Sequence, residues 1–431
     1  MKYLRLALVI FASALAVAHA QQDQDEERRA PPVEIPDFSN LDEYIYEPRS
    51  TVQFGFRYLS GAKASFFGHG SILSPDDLTS DSTTPNITRT YHDGYVRPDG
   101  RPTTLVDSSG NPVVDPNSGQ TGTQPVAPDG KTNTWQLTDS RQVGDPTRGL
   151  NDVPNGYVAF HSYSADVTDD TIRQKKTKTN SGMDISVVRD MGKLFHGRVS
   201  WNLIAGMSVN DISARTTSAV QANVTTITDY YPSYGQTVPI TSLPYTAPST
   251  TQQTVLDANG NAVTNSDGSV QTVSVDNSVL IGNVPALRTT ANGVNITSVV
   301  NQWVVKGAYF TFRFGPEVLI PITSRLRIEL SAGPALIYSG TAYTVNQTFT
   351  PDIGADITES DTNTVYKLRP GYFADASLQF DLTDKAGFFA GAVFQSASGY
   401  TQSLDTATAK YATKIDLSDQ SGVRAGMSIR F

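Results

Sequence analysis

The chain has no cysteine among its 431 residues. That excludes a disulfide framework, thiolate catalysis and thiolate metal ligation. Long apolar runs are equally scarce, for past Ala20 no stretch approaches the ~20 residues that a membrane-crossing helix needs, and mean hydropathy is -0.28. A helical membrane architecture is therefore excluded. Excess positive charge is missing too, with 33 Lys and Arg against 42 Asp and Glu and a net charge of -9. Loss of Lys2 and Arg5 with a leader would take this to -11, which argues against a nucleic acid partner. Apolar residues make up only 38%, and helical periodicity is hard to find. What remains is an all-β chain with extensive polar loops.

Several features are present in place of these. Lys2 and Arg5 precede an apolar run from Leu6 to Val17, and Ala18-His19-Ala20 supplies a small-x-small cleavage pattern. Residues 1-20 read as an export signal cleaved after Ala20, because the run is shorter than a bilayer span. Residues 21-48 carry charge and two adjacent prolines with little pattern, and are expected to form an extended N-terminal segment. Residues 49-431 then form a single β domain.

Period-2 alternation marks eight stretches: Thr51 to Ser60, Gly182 to Asp190, Gly197 to Asn210, Val304 to Ile320, Arg325 to Tyr338, Lys367 to Leu382, Gly387 to Ala397 and Gly422 to Phe431. In the fourth, Phe310, Phe312 and Phe314 alternate with Thr311, Arg313 and Gly315. In the last, Val423, Ala425, Met427, Ile429 and Phe431 oppose Arg424, Gly426, Ser428 and Arg430. Such a strand meets two different solvents. Short connections (Met191 to His196, Pro321 to Ser324, Thr383 to Ala386) alternate with long ones (Gly61 to Ser181, Asp211 to Trp303, Ser339 to Tyr366, Ser398 to Ser421).

This alternation predicts a closed antiparallel transmembrane β-barrel of about eight strands, or ten to twelve if strands lie hidden in Lys63 to Gly68, Trp135 to Thr138 or Gly156 to Ala165. Turns on the periplasmic side would be short and extracellular loops long. Closure is required because an unpaired backbone group facing hydrocarbon costs several kcal/mol, so the last strand should pair with Thr51 to Ser60. A soluble sandwich shares the alternation but places its apolar faces in a common core. Pro316, Pro334 and Pro370 each remove a ladder donor, and a bulge or rim is expected at Pro334.

The alternation, the loop asymmetry, the leader and the terminal Phe431 together resemble the bacterial outer-membrane β-barrel proteins, the group that includes porins and small OmpA-like barrels. The resemblance implies residence in the outer membrane. It further implies that Met427, Ile429 and Phe431 form the signal read by the barrel assembly machinery; with nothing after Phe431, the peptidoglycan-binding domain of the longer OmpA-like proteins is not expected.

The inward phase predicts ion pairs in the lumen among Arg57, Asp184, Asp190, Arg198, Arg313, Glu317, Arg327, Glu329, Arg369, Asp375, Asp381, Arg424 and Arg430. A narrow barrel interior is filled by side chains, and buried charges there must pair. The basic run Arg173, Lys175, Lys176 and Lys178 would contact lipopolysaccharide phosphates, or else be a solvated loop. Outer-membrane lipid is thus the expected surrounding.

Asp107 and Asp257 open two similar Asp-x-x-Gly-Asn segments, which read as hairpin turns and not as calcium loops. His69, His92 and His161 lie in the first long segment and His196 at a turn, none on a lipid-facing strand beside a serine, so no catalytic, cofactor or metal residue is assigned. The function expected is structural or surface-interacting, with a porin-like channel as the alternative and a lipid-modifying enzyme behind it. The residues assign no oligomeric state.

Overall fold

The computed structural model describes residues 50–75, 83–100, 103–104, 123–124, 129–145, 153–177, 179–195, 198–248, 250–254, 261–265, 268–276 and 278–431. The chain divides into Met1–Pro48 and Arg49–Phe431, and all described residues belong to the second unit. The leader, the N-terminal segment, the turns at Asp107 and Asp257, and His196 lie outside the described residues.

One antiparallel sheet dominates. Its strands are β1 (Ser50–Ser60), β2 (Lys63–Ile72), β3 (Tyr157–Val167), β4 (Arg173–Lys176), β5 (Asn180–Leu194), β6 (Val199–Pro232), β7 (Leu287–Pro321), β8 (Leu326–Phe349), β9 (Ile357–Asp381), β10 (Ala386–Asp405) and β11 (Ala409–Arg430). The sheet order is β4-β2-β3-β6-β5-β1-β11-β10-β9-β8-β7, with further pairings β2 to β11 and β6 to β7. The β6 to β7 pairing closes a hydrogen-bonded circuit through eight of these strands.

The expectation of about eight strands is thereby corrected, since the sheet holds eleven. The additional strands β2, β3 and β4 all come from the segment between Gly61 and Ser181, which had been assigned to a loop. β2 and β3 fall on Lys63 to Gly68 and Gly156 to Ala165, two of the stretches named for hidden strands, whereas β4 falls on none of them. In the upper wall β2 pairs with β11 and β3 with β6, and neither follows the inward-polar pattern of the lower wall.

Polarity along the wall reverses with height. Low on β7 and β8 the inward residues are polar, with Arg313, Glu317, Glu329 and Ser331 buried, while Phe312, Phe314 and Leu330 are exposed. Higher on the same strands the inward residues turn apolar, with Trp303, Val305, Ile337, Tyr343 and Val345 buried. On β11 the reversal comes with slipped registry. Leu417 and Ile415 point inward above, Gln420 and Arg424 below, and the β10 to β11 register shifts between Gln395 and Tyr400. A bulge changes which alternate set faces the axis, so one strand serves two environments.

The closing seam is regular. β1 and β11 pair from Thr51↔Arg430 to Ser60↔Ser421, and Phe431 N donates to Ser50 O at 2.9 Å. The prolines sit where ladders break. Between β7 and β8 pairing stops at Arg313↔Ala335 and resumes at Glu317↔Ser331 in the same register, spanning Pro316 and Pro334. Of the bulge or rim expected at Pro334, a bulge is not what occurs, since the ladder is interrupted without a change of register. The β9 to β10 ladder ends at Gly371↔Ala397, next to Pro370. Above that point the two strands are joined by side chains: Asn363 Nδ2 donates to Ser403 O (2.6 Å), and Gln402 Nε2 donates to Asn363 O (2.7 Å).

Above the barrel lies a cap. Short strands Arg89–Tyr91, Gly94–Val96, Trp135–Leu137 and Tyr245–Ala247 form a four-stranded sheet around Tyr91, Trp135, Phe160 and Tyr231.

Candidate functional site

The lower lumen is a continuous polar plug. Arg424 Nη1 donates to Asp375 Oδ2 (2.8 Å) and its Nη2 to Gln53 Oε1 (2.6 Å). Arg313 Nη2 lies 2.8 Å from Asp184 Oδ1 and donates to Oδ2 at 2.9 Å. Arg57 Nη1 donates to Ser208 Oγ (2.6 Å). Gln53 links the groups, since its amide donates to Glu329 Oε1 (2.9 Å) while its carbonyl oxygen accepts from Ser186 Oγ (3.0 Å) and from Arg424. Asn202 Nδ2 donates to Glu317 Oε1 (2.9 Å). Above these, Gln395 donates to Gln420 (3.0 Å), which donates to Tyr309 OH (2.9 Å).

The strands dictate this arrangement. Alternation aims Arg57 inward between Phe56 and Tyr58, and Arg313 inward between Phe312 and Phe314. Rings lie beside the guanidinium planes, with Arg424 Cζ 4.6 Å from the Phe389 centroid and Arg313 Cζ 5.9 Å from that of Phe373. Such stacking favours a desolvated arginine over a lysine. Three arginines thus face four carboxylates: Asp184, Asp375, Glu317 and Glu329. Arg57, Gln395 and Gln420 have 0% exposure, whereas Phe56 on the outer face has 62%.

The sequence-predicted lumen residues divide into groups. Arg57, Asp184, Arg313, Glu317, Glu329, Asp375 and Arg424 meet in the plug. Arg327 and Arg430 both pair with Asp381 at the lower rim. Three residues depart from the expectation. Asp190 is exposed, its Oδ1 accepting from Gly192 N (2.9 Å), because a register shift between Asp190 and Gly192 ends regular alternation. Arg198 is exposed in the adjoining turn. Arg369 is also no lumen ion-pair member. It lies high on β9, with its Cζ 6.0 Å from the Tyr400 ring centroid.

The basic run is only partly free. Arg173 Nη2 pairs with Asp169 (2.6 Å), and its Cζ lies 5.0 Å from the Trp303 centroid. Lys175 and Lys176 are exposed on β4, and Lys178 lies outside the described residues. Hydrogen bonds from Thr171 and Arg173 outweigh the burial penalty on Asp169 and bring its pKa down to about 2. Met427, Ile429 and Phe431 are exposed on the outer face of β11 and its end.

Sequence reasoning missed a second polar cluster, under the cap. Asp93, buried, accepts from His161 N (2.8 Å) and lies 2.6 Å from His161 Nδ1. His92 Nδ1 accepts from Tyr163 N at 3.0 Å. Burial pushes the Asp93 carboxyl up, against the opposing pull of His161, and pushes the His92 imidazole down. The spacing of His92, Asp93 and His161 gave no hint that strand β3 would unite them. Nearby, Asp229 holds Arg288 through two bonds of 2.6 Å and accepts from Tyr91 OH (2.6 Å), tying the cap to β6 and β7.

Among known proteins, no family model matches the chain, and no curated protein matches it. Two solved structures align loosely. One is the outer membrane protease OmpT from Escherichia coli, at 7% identity and a TM-score of 0.26, covering 89% of this chain and 97% of that one. The other is a Pseudomonas aeruginosa FadL homologue, at 9% identity and a TM-score of 0.17, covering 89% and 90%. These values are too low to transfer a strand count, a residue role or an activity.

Proposed function

We propose that the chain is an outer-membrane β-barrel protein with a structural or surface-interaction role, closed to solutes by its salt-bridged lumen. The observation that carries the reading is the inversion across the lower wall. Phe54, Phe56, Phe314 and Leu378 are exposed outside while Arg57, Arg313, Arg424 and Glu317 are buried inside. In water this arrangement would expose a large apolar belt, which soluble monomers rarely do. In a bilayer it satisfies both solvents.

The rest of the reading follows from that placement. A leader cleaved after Ala20 delivers the chain to the envelope, and Met427, Ile429 and Phe431 engage the assembly machinery. Lys175 and Lys176 face lipopolysaccharide phosphates beyond the apolar belt. Arg173 supplies less to that contact, since it is engaged with Asp169 and Trp303. The 0% exposure of Arg57, Gln395 and Gln420 weighs against a channel.

Planar-bilayer recording of the purified chain tests the closed lumen, and a silent trace is the expected result. Stable conductance proportional to salt would replace this reading with a porin. Partition of the mature chain into buffer without detergent would remove both.

A further inference from the structure

The outer wall is not uniform. Beside the closing seam lies an apolar groove of about 540 Å³, lined by Phe54, Phe56, Met183, Met207, Met427 and Ile429 and floored by the backbone of Gly55 and Gly426. Three of the five methionines in the chain meet here. Unbranched, polarisable methionine side chains adapt to an irregular apolar occupant.

Positive charge lies beyond one end of the groove, outside its lining residues. Alternation along β5 places Met183, Ile185, Val187 and Arg189 on the same outward face. Arg189 is exposed and stands opposite Ser50, to whose Oγ its Nη1 donates at 3.2 Å. That uses one of five guanidinium donors. Lys193, near the end of β5, and Arg198, just before β6, are both exposed and add positive charge below, where Asp190 is folded onto Gly192 N. Half-buried Trp201 stands on β6 beside this turn, and an indole suits the level where hydrocarbon meets headgroups.

The length fits one leaflet. Arg189 lies six positions beyond Met183, about 20 Å of strand. With the ~40° tilt of barrel strands this projects to ~15 Å, half of a ~30 Å hydrocarbon core. An acyl chain lying along the groove would bring its phosphate to Arg189.

We propose that this seam holds one anionic phospholipid, its acyl chain in the groove and its phosphate on Arg189. The proposal rests on the membrane-barrel reading above.

Native mass spectrometry of the full folded chain in detergent, titrated with phosphatidylglycerol or phosphatidylcholine, tests it. Retention of phosphatidylglycerol is expected to exceed that of phosphatidylcholine about tenfold. Arg189→Gln should bring the two level, Met207→Trp should weaken both by filling the groove, and Lys385→Gln, at another turn, should change neither. Equal retention of both lipids by the unmodified chain would overturn the site, as would a preference untouched by Arg189→Gln. Dimers that exclude lipid would assign the groove to a second copy instead. Heat-dependent gel migration, followed in parallel, separates the two readings. A folded, detergent-bound barrel without lipid preference loses only this site, whereas a chain soluble without detergent loses the membrane reading itself.

Discussion

Arg424 and Asp375, from strands that do not neighbour each other in the sheet, meet at 2.8 Å inside the lumen, both almost fully buried. The contact reaches across β10, so it braces the wall from within. Removing Arg424 leaves Asp375 only the 3.9 Å contact with Arg313, and removing Asp375 leaves Arg424 with Asp184 at 3.8 Å and Glu329 at 4.0 Å, so each loss should cost less than the about 3–5 kcal/mol of an isolated buried pair. Arg424→Ala and Asp375→Ala should each lower the temperature at which the compact gel band is lost. The double variant should recover part of that loss. If the singles behave like the parent, the pair is not structural.

Arg57, Gln395, Gln420 and Tyr309 form a hydrogen-bonded layer with no exposed surface. Replacing Arg57, Gln395 and Gln420 together by alanine removes most of its side-chain volume while leaving Asp184, Arg313 and Arg424 in place. The unmodified protein should be silent in planar bilayers and the triple variant should conduct. A silent triple variant with normal gel migration would place the barrier higher, among Phe66, Trp303 and Tyr343, whose rings stack at 6.4 Å and 6.1 Å.

The lower wall was legible because each strand there divides two solvents: Phe56 beside Arg57 and Phe314 beside Arg313 announce an outside and an inside. The upper wall was not. On β11, Ile415 and Leu417 face inward and Lys414 and Asp416 outward, the pattern of an ordinary water-soluble strand, so these residues read as loop. Lys63 to Gly68 reads only as a possible strand, because Gly68 and Gly70 break the run that continues to Ile72 in β2. In the plug the charges could be named from the inward phase, but not their partners. Gln53 and Glu329 are 276 positions apart, and only the circuit of strands brings them together. His161 and Asp93 are a similar case, 68 positions apart and joined by the meeting of cap and β3.

The His161 to Asp93 contact gives a prediction about the cap alone. Asp93 is buried and receives both the imidazole and the backbone N–H of His161. Asp93→Ala leaves a buried N–H without its acceptor, worth about 1–3 kcal/mol. Limited proteolysis should cut the cap faster in this variant while the compact gel band persists. Unchanged cleavage would make the contact incidental.

Phe431 separates assembly from stability. Its backbone N–H bonds to Ser50 O, and that bond survives replacement of the ring. Phe431→Ala should refold in detergent with the parent's yield and gel migration, yet accumulate unassembled in cells. A matching deficit in both settings would show the ring acting only by packing.

Acid should release Arg173 from above the Trp303 ring. The Asp169 carboxyl titrates at about 2 in the folded chain, below the ~3.9 of a free aspartate. A depressed carboxyl contributes stability that is complete above its unfolded pKa and is lost as pH falls through its folded one. The transition therefore belongs between about pH 4 and about pH 2. Asp169 is partly solvated, so the consequence is local: the Arg173 guanidinium, 5.0 Å from the Trp303 centroid, loses its anchor while the wall stays closed. With Trp135→Phe and Trp201→Phe leaving Trp303 as the reporter, emission should step in that window. Asp169→Asn should show the acid-form emission at neutral pH and no step. A step of equal size in Asp169→Asn would assign the change to another carboxylate and break the link between Asp169 and the ring.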